Sequence, residues 1–357
     1  MLREVYGMSI SLGSFLITIL WLAYAVGQVP GGVLSDRIGS GVVLVGSCLL
    51  SAGVLVVIIW TDSLLGLFVA TALLGFSTAW FGVTFLSLLS DIYPERSGTA
   101  IGLTLATGNI GNSVLPPAVV FLAGLVSWRF GIGTLVLPFA LLGVALWVVI
   151  PHGKINSSSA VDTASRESLR YVWRGVTERT VLLLLLIQIL VVFTYHGFMG
   201  MYPTYLIESK GLSAQAATLL FGLFFGLAVL VQPLSGSLAD AIGERYTLIG
   251  VIAATCLSLV LLPFASGLVV LTGLTVALSV QHGRGVVAIT YLTHELPDDM
   301  KGTGLGIIRT GYLFSGAVGP ITLGLFADFG YFDTGFLFFG FMAFLGMVLC
   351  FLLPKPR

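Results

Sequence analysis

Eleven apolar runs, each close to or above the 20 residues that a membrane-crossing helix requires, fill most of this chain. They fall at roughly 10–34, 42–60, 64–90, 98–124, 130–150, 181–206, 213–238, 247–265, 268–292, 303–327 and 335–353. Hydrocarbon offers no hydrogen-bond partner to an exposed backbone group, so runs of this length fold as helices. Only 9% of the 357 residues are charged and 57% are hydrophobic, against about 25% charged in soluble domains. A water-soluble fold is thereby excluded, and the sequence predicts an all-α polytopic membrane protein surrounded by lipid bilayer. The 45 glycines suit helices that approach one another closely.

Sixteen basic and sixteen acidic residues cancel, so no basic face for nucleic acid is expected. Cys48, Cys256 and Cys350 lie far apart inside apolar runs, a pattern of buried thiols rather than of disulfides or a metal site. The chain holds no glycine-rich nucleotide loop, no His-Glu-x-x-His and no nucleophile triad. Neither an enzyme, nor a cofactor, nor an ATP-driven pump is expected.

Lys and Arg placement sets the orientation. Eleven basic residues fall on the side of the 151–180 loop and the C-terminus, and three on the other. The excess puts that loop and the C-terminus in the cytoplasm and the N-terminus outside, in a multi-pass protein of the cell membrane. Arg166, Arg170 and Arg174 repeat every four residues, as in a short basic helix lying on the inner membrane face.

Sliding the chain against itself by 204 residues exposes an internal repeat. Glu4, Gly7 and Ser9 fall on Glu208, Gly211 and Ser213. Gln28 falls on Gln232, and Gly32, Leu34, Asp36, Ile38 and Gly39 fall on Gly236, Leu238, Asp240, Ile242 and Gly243. Two halves in the same orientation follow, a known transporter plan. The expected domains are residues 1–150, a 151–180 linker and residues 181–357. The same register puts the counterpart of span 181–206 ahead of residue 1. A truncation or a late start codon is expected, leaving helices 2–12 of twelve, the alternative being a chain that functions with eleven spans.

Gly32-Val33-Leu34-Ser35-Asp36-Arg37-Ile38-Gly39 opens a cytoplasmic loop, and its echo runs from Gly236 through Asp240 to Gly243 and Arg245. Together they resemble the paired signature loops of the major facilitator superfamily, between helices 2 and 3 and between helices 8 and 9. The resemblance covers the whole chain and implies two pseudo-symmetric helical bundles working by alternating access. It also implies a conformational latch at Asp36, Arg37, Gly32, Gly39, Asp240, Gly236 and Gly243. Two departures count against proton-driven drug export: Ser40 and Gly41 replace the family's two basic residues, and Thr71 stands four residues before Gly75 where many proton-coupled members carry arginine. The run Gly108-Asn109-Ile110-Gly111-Asn112 resembles nitrate carriers. Those place arginine in helices 2 and 8, and neither 10–34 nor 213–238 contains one.

Arg284 lies within span 268–292, in Gln281-His282-Gly283-Arg284. A central arginine costs about 2.5–3.5 kcal/mol on insertion scales, so such residues usually face a cavity and serve function; snorkelling to the inner face is the alternative. His282, two residues away, should point nearly opposite Arg284 on a regular helix, as a proton-coupling or a packing histidine. Tyr195 and His196, with Gln188 two turns further along, mark one candidate cavity face. Asn109 and Asn112 mark another, or else bridge helices. Arg309, about two turns into its helix, is expected to snorkel or to pair with Asp36, Glu95 or Glu295 rather than to contact substrate, and it is counted with the latch. The expected substrate-binding set is therefore Arg284, His282, Gln281, Tyr195, His196 and Asn109, with no metal.

The function this implies is secondary transport of a small solute, an organic anion, by a monomer with proton or sodium as coupling ion. The alternatives are a multidrug or metabolite exporter of the same fold, and a non-transporting remnant or sensor.

Overall fold

A computed structural model describes residues 2–93, 96–150, 178–295 and 301–354. The basic helix expected around Arg166, Arg170 and Arg174 lies outside the described residues, as does Glu95. Among the described residues there is no β-strand, and ten helices are long and apolar enough to cross a membrane. Ten of the eleven apolar runs correspond to them.

The eleventh run, 268–292, is not one helix. It breaks into Leu268–Ser279 and His282–Glu295. Through the break the backbone tightens to i→i−3 bonds: Val280 N donates to Ala277 O, Gln281 N to Leu278 O, Gly283 N to Val280 O and Arg284 N to Gln281 O, all at 3.0–3.3 Å. No proline causes this. Helix kinks without proline occur at Gly and Ser positions, and here the break is bracketed by Ser279 and Gly283. A Cβ on Gly283 would collide with the Ser235 hydroxyl, so the chain at the break runs directly against that side chain. Irregular backbone at membrane depth persists only where protein or a polar cavity covers it, and Gln281 and His282 are buried.

The described residues form two compact units, one made of 2–8, 15–108 and 117–150 and the other of 9–14, 109–116 and 178–354. The first is built from α1 (Leu2–Val5), α2 (Ile10–Ile38), α3 (Ser40–Trp60), α4 (Leu64–Ile92), α5 (Ser97–Leu125), α6 (Trp128–Gly133) and α7 (Val136–Val149). In it, α3 packs on α4 and α7, and α2 meets α4 along glycines. A Cβ on Gly75 would strike the Leu20 carbonyl, and one on Gly31 would reach the Trp80 ring at 2.8 Å. Lipid tails are as apolar as leucine, so close backbone approach through small residues supplies the helix–helix attraction.

The second unit holds α8 (Arg179–Glu208), α9 (Ala214–Gly226), α10 (Ala228–Ile242), α11 (Glu244–Leu261), α12 (Leu268–Ser279), α13 (His282–Glu295), α14 (Lys301–Asp328) and α15 (Phe332–Cys350). Here α8 packs on α14 and α15, α11 on α15, and α10 on α13. Phe198, Tyr202, Tyr205, Phe224, Phe336 and Phe339 are fully buried at its centre. Two short stretches join this unit rather than the first. The Asp328 carboxylate accepts hydrogen bonds from Ile10 N at 2.9 Å, Ser11 N at 3.1 Å and the Ser11 hydroxyl, satisfying donors that the first turn of α2 leaves open. Asn109 Nδ2 donates to Gln232 Oε1 at 3.2 Å.

The repeat is visible in local geometry. Gly7 and Gly211 both adopt positive φ, 60° and 68°. Ser9 and Ser213, two residues on, each cap a helix: Ser9 Oγ accepts from Leu12 N at 3.1 Å and Ser213 Oγ from Ala216 N at 3.2 Å. The signature stretches differ from loops. Asp36 and Arg37 stand in the last turn of α2, Asp240 in that of α10, and a single glycine separates each helix from the next.

Candidate functional site

Arg284 is 8% exposed. Its Nη1 donates to Gln188 Oε1 at 3.1 Å, and its guanidinium carbon lies 5.5 Å from the Tyr195 ring centroid. Gln188 and Tyr195 are seven residues apart on α8, two helical turns, and so present the same face. Among the described residues no carboxylate lies within ion-pair distance of Arg284. A hydrogen bond to a charged group is worth about 1.5–3 kcal/mol, and a desolvated cation–π contact about 2 kcal/mol. Together, at about 3.5–5 kcal/mol, these cover the insertion cost of the arginine while leaving its charge without a counter-ion.

His282 does not point away from Arg284, as a regular helix would require. The break turns both side chains onto Tyr195, whose hydroxyl lies 3.5 Å from His282 Nδ1. The imidazole is held among aromatic rings, its centroid 4.3 Å from that of Phe224 and 5.2 Å from that of Phe225. Gln281 is 1% exposed. Among the described residues, the buried Gln281 Nε2 and Arg284 Nε have no hydrogen-bond partner and His282 Nε2 has none of good geometry; the Phe224 backbone and the Tyr195 hydroxyl both face the histidine. Buried polar groups are otherwise almost always bonded, so donors are concentrated here that the protein leaves open.

The other expected residues separate. His196 is buried beside this cluster and packs on α14, where Gly316 leaves room for its Nδ1. Asn109 bonds to Gln232, the helix-bridging alternative rather than a place in the Arg284 cluster. Arg309 is half-buried on α14. Asp36, Arg37 and Asp240 are exposed. Gly32 and Gly236 each face a valine of the neighbouring helix, Val83 at 3.7 Å and Val286 at 3.8 Å from an ideal Cβ, so neither is a glycine for lack of room. Phe224 and Phe225, which hold His282, are site residues that sequence reasoning missed, and Gln232 is the unforeseen partner of Asn109. The run Phe221-Gly222-Leu223-Phe224-Phe225 reads as ordinary apolar filling, and Gln232 stood out only as a repeat marker.

The model of the Major Facilitator Superfamily matches residues 1–280 and 184–357. The chain is 27% identical over 265 residues to the nitrite extrusion protein of Bacillus subtilis, covering 73% of this chain and 64% of that protein, so that the match spans less than two thirds of its length. It is 24% identical over 341 residues to the cis,cis-muconate transport protein of Acinetobacter baylyi, covering 92% of this chain and 81% of that protein. The crystal structure of a bacterial homolog of the human lysosomal transporter Spinster, inward-facing and unoccupied, superposes with a TM-score of 0.80. That superposition covers 99% of this chain and 91% of the other at 14% identity, which is a likeness of fold. Sequence match, repeat and helical architecture agree: the chain belongs to the major facilitator superfamily.

Proposed function

We propose that this multi-pass membrane transporter carries a small organic anion across the cell membrane by alternating access, with Arg284 as the anion's anchor. One observation carries the reading: a buried guanidinium, at a break in its helix, which among the described residues meets the neutral Gln188 and Tyr195 and no carboxylate within ion-pair distance. A carboxylate arriving there finds a fork of charged donors and the Gln281 amide nitrogen, which no described residue engages. Two relatives, the nitrite extrusion protein and the cis,cis-muconate transport protein, are named for anions. In this reading residues 1–150 and 181–357 act as the two moving halves, and Asp36 with its repeat partner Asp240 latches one state of the cycle.

Uptake into proteoliposomes over a panel of organic anions tests the anchor. Arg284→Ala should abolish transport, and Arg284→Lys should impair it less, since an ammonium keeps the charge but cannot fork two bonds onto a carboxylate. Equal rates for every anion in wild type and variant would overturn it. So would a neutral or cationic solute handled equally by both. Orientation is tested separately with cysteine at Ser158, in the 151–180 loop. An impermeant thiol reagent added outside intact cells should fail to label it, and ready labelling would reverse the topology.

A further inference from the structure

One helix crossing occurs in each unit, with its small residues exchanged between the two helices. In the second unit α13 meets α10 at Gly283. A Cβ there would collide with the Ser235 hydroxyl, meet Ser235 Cβ at 2.6 Å and stand 3.6 Å from Val231 Cγ1. The 204-residue register places Val231 and Ser235 on Gly27 and Gly31, and Gly283 and Arg284 on Ala79 and Trp80. In the first unit those residues also meet. A Cβ on Gly27 would reach Ala79 Cβ at 2.8 Å, and one on Gly31 would reach Trp80 Cδ1 at 2.8 Å. There both glycines stand on α2, and α4 runs unbroken from Leu64 to Ile92. In the second unit the side chains stand on α10, the glycine stands opposite, and the helix breaks between Ser279 and His282.

The exchange decides where residue 284 can go. Trp80 lies across Gly31, where there is no side chain to obstruct it. Ser235 fills the equivalent place on α10. Arg284 does not lie back on that helix but meets Gln188 and Tyr195 of α8.

We infer that Ser235 is a positioning residue for the anion site: pressed on Gly283, it maintains the break and steers Arg284 onto Gln188 and Tyr195. The consequence for binding rests on the Arg284 reading, whereas the steering itself does not. A binding group must be held within about 0.5 Å of its productive geometry, so a guanidinium turned towards α10 loses its fork of bonds to a carboxylate.

The double variant Ser235→Gly/Gly283→Ala gives the second unit the first unit's arrangement of side chain and glycine. Two measurements on the purified full-length protein test it. Nitroxide labels on Val276→Cys and Ile289→Cys, exposed on either side of the break, should report a different separation with the double variant than without it, as α12 and α13 join into one helix. Affinity for acetate, benzoate and succinate should fall roughly tenfold or more, the loss of one charged hydrogen bond. The melting temperature should stay near that of wild type, because one glycine is exchanged for another; a merely structural role would move stability and leave affinity alone. Ser235→Gly, which only removes atoms, carries the same two measurements if the double variant does not fold. An unchanged label separation, or wild-type affinity with a changed one, would overturn the positioning role. Undiminished anion binding by Arg284→Ala, or no wild-type binding of any of the three anions, would instead overturn the anchor, and the label separation would still decide whether Ser235 steers Arg284.

Discussion

Gly39 and Gly243 hold the same backbone conformation, φ +95° with ψ 140° and φ +90° with ψ 150°, although 204 residues separate them. Each is the single residue between two consecutive helices. This region is essentially restricted to glycine, and a side chain there costs about 1–3 kcal/mol in backbone strain. At Gly39 and Gly243 alike, the signature glycine is a hinge geometry repeated in both halves.

Gly39→Ala and Gly243→Ala should each destabilise the protein by about that amount. At Gly39 a Cβ would touch nothing within 4 Å, so packing contributes no part of the loss there. Thermal unfolding in detergent measures it. A wild-type melting temperature in both variants would show that the helix ends relax freely.

Gln188→Glu should silence the anion site. The new carboxylate would stand where Gln188 Oε1 now accepts from Arg284 Nη1 at 3.1 Å, neutralising the guanidinium from within. Anion affinity should fall by roughly tenfold or more, while the fold is kept. Gln188→Leu should instead lower stability, because it removes a charged hydrogen bond worth about 1.5–3 kcal/mol. Wild-type anion binding by Gln188→Glu would rule out direct engagement of Arg284.

Gly319→Ala should be poorly tolerated. Helices α8 and α14 cross with Gly319 on Gly197, and a Cβ would meet Gly197 N at 2.7 Å and the Phe193 carbonyl, both backbone atoms. Overpacking of this kind costs about 1–3 kcal/mol. Gly250→Ala, on α11 with open space around it, is the control and should match or exceed wild-type stability. Equal melting temperatures for the two variants would contradict the crossing.

Asp36→Asn should slow or bias the transport cycle without changing anion affinity. The residue is exposed in the last turn of α2 and takes no part in the buried Arg284 cluster. Exchange rates in proteoliposomes, set beside equilibrium binding, separate the two effects. Normal transport by the variant would end the latch assignment.

What was legible in the sequence follows from the scale of each interaction. Helix number depends on runs of some 20 apolar residues, and the repeat on glycine and serine positions whose backbone demands are local. Gly7, Ser9 and Gly39 with their partners therefore reappear with matching torsions and caps. Arg284 was conspicuous because a charge inside an apolar run has few structural uses.

The surroundings of that arginine were decided by tertiary structure. Helical periodicity sets His282 opposite Arg284, yet the chain breaks between Ser279 and His282, where it presses on Ser235, and both side chains meet Tyr195. Ser279 and Gly283 permit a kink without proline but do not dictate one, because it also depends on contact with Ser235 of another helix. Gln188 was marked as facing a cavity but not as the partner of Arg284, and Phe224 and Phe225, from a helix far away in the chain, look like any other apolar core position. The same holds for Gln28 and Trp80: the sequence by itself determined where each stands in the repeat, and only packing decided that Gln28 Nε2 and Trp80 Nε1 are buried with no hydrogen-bond partner among the described residues.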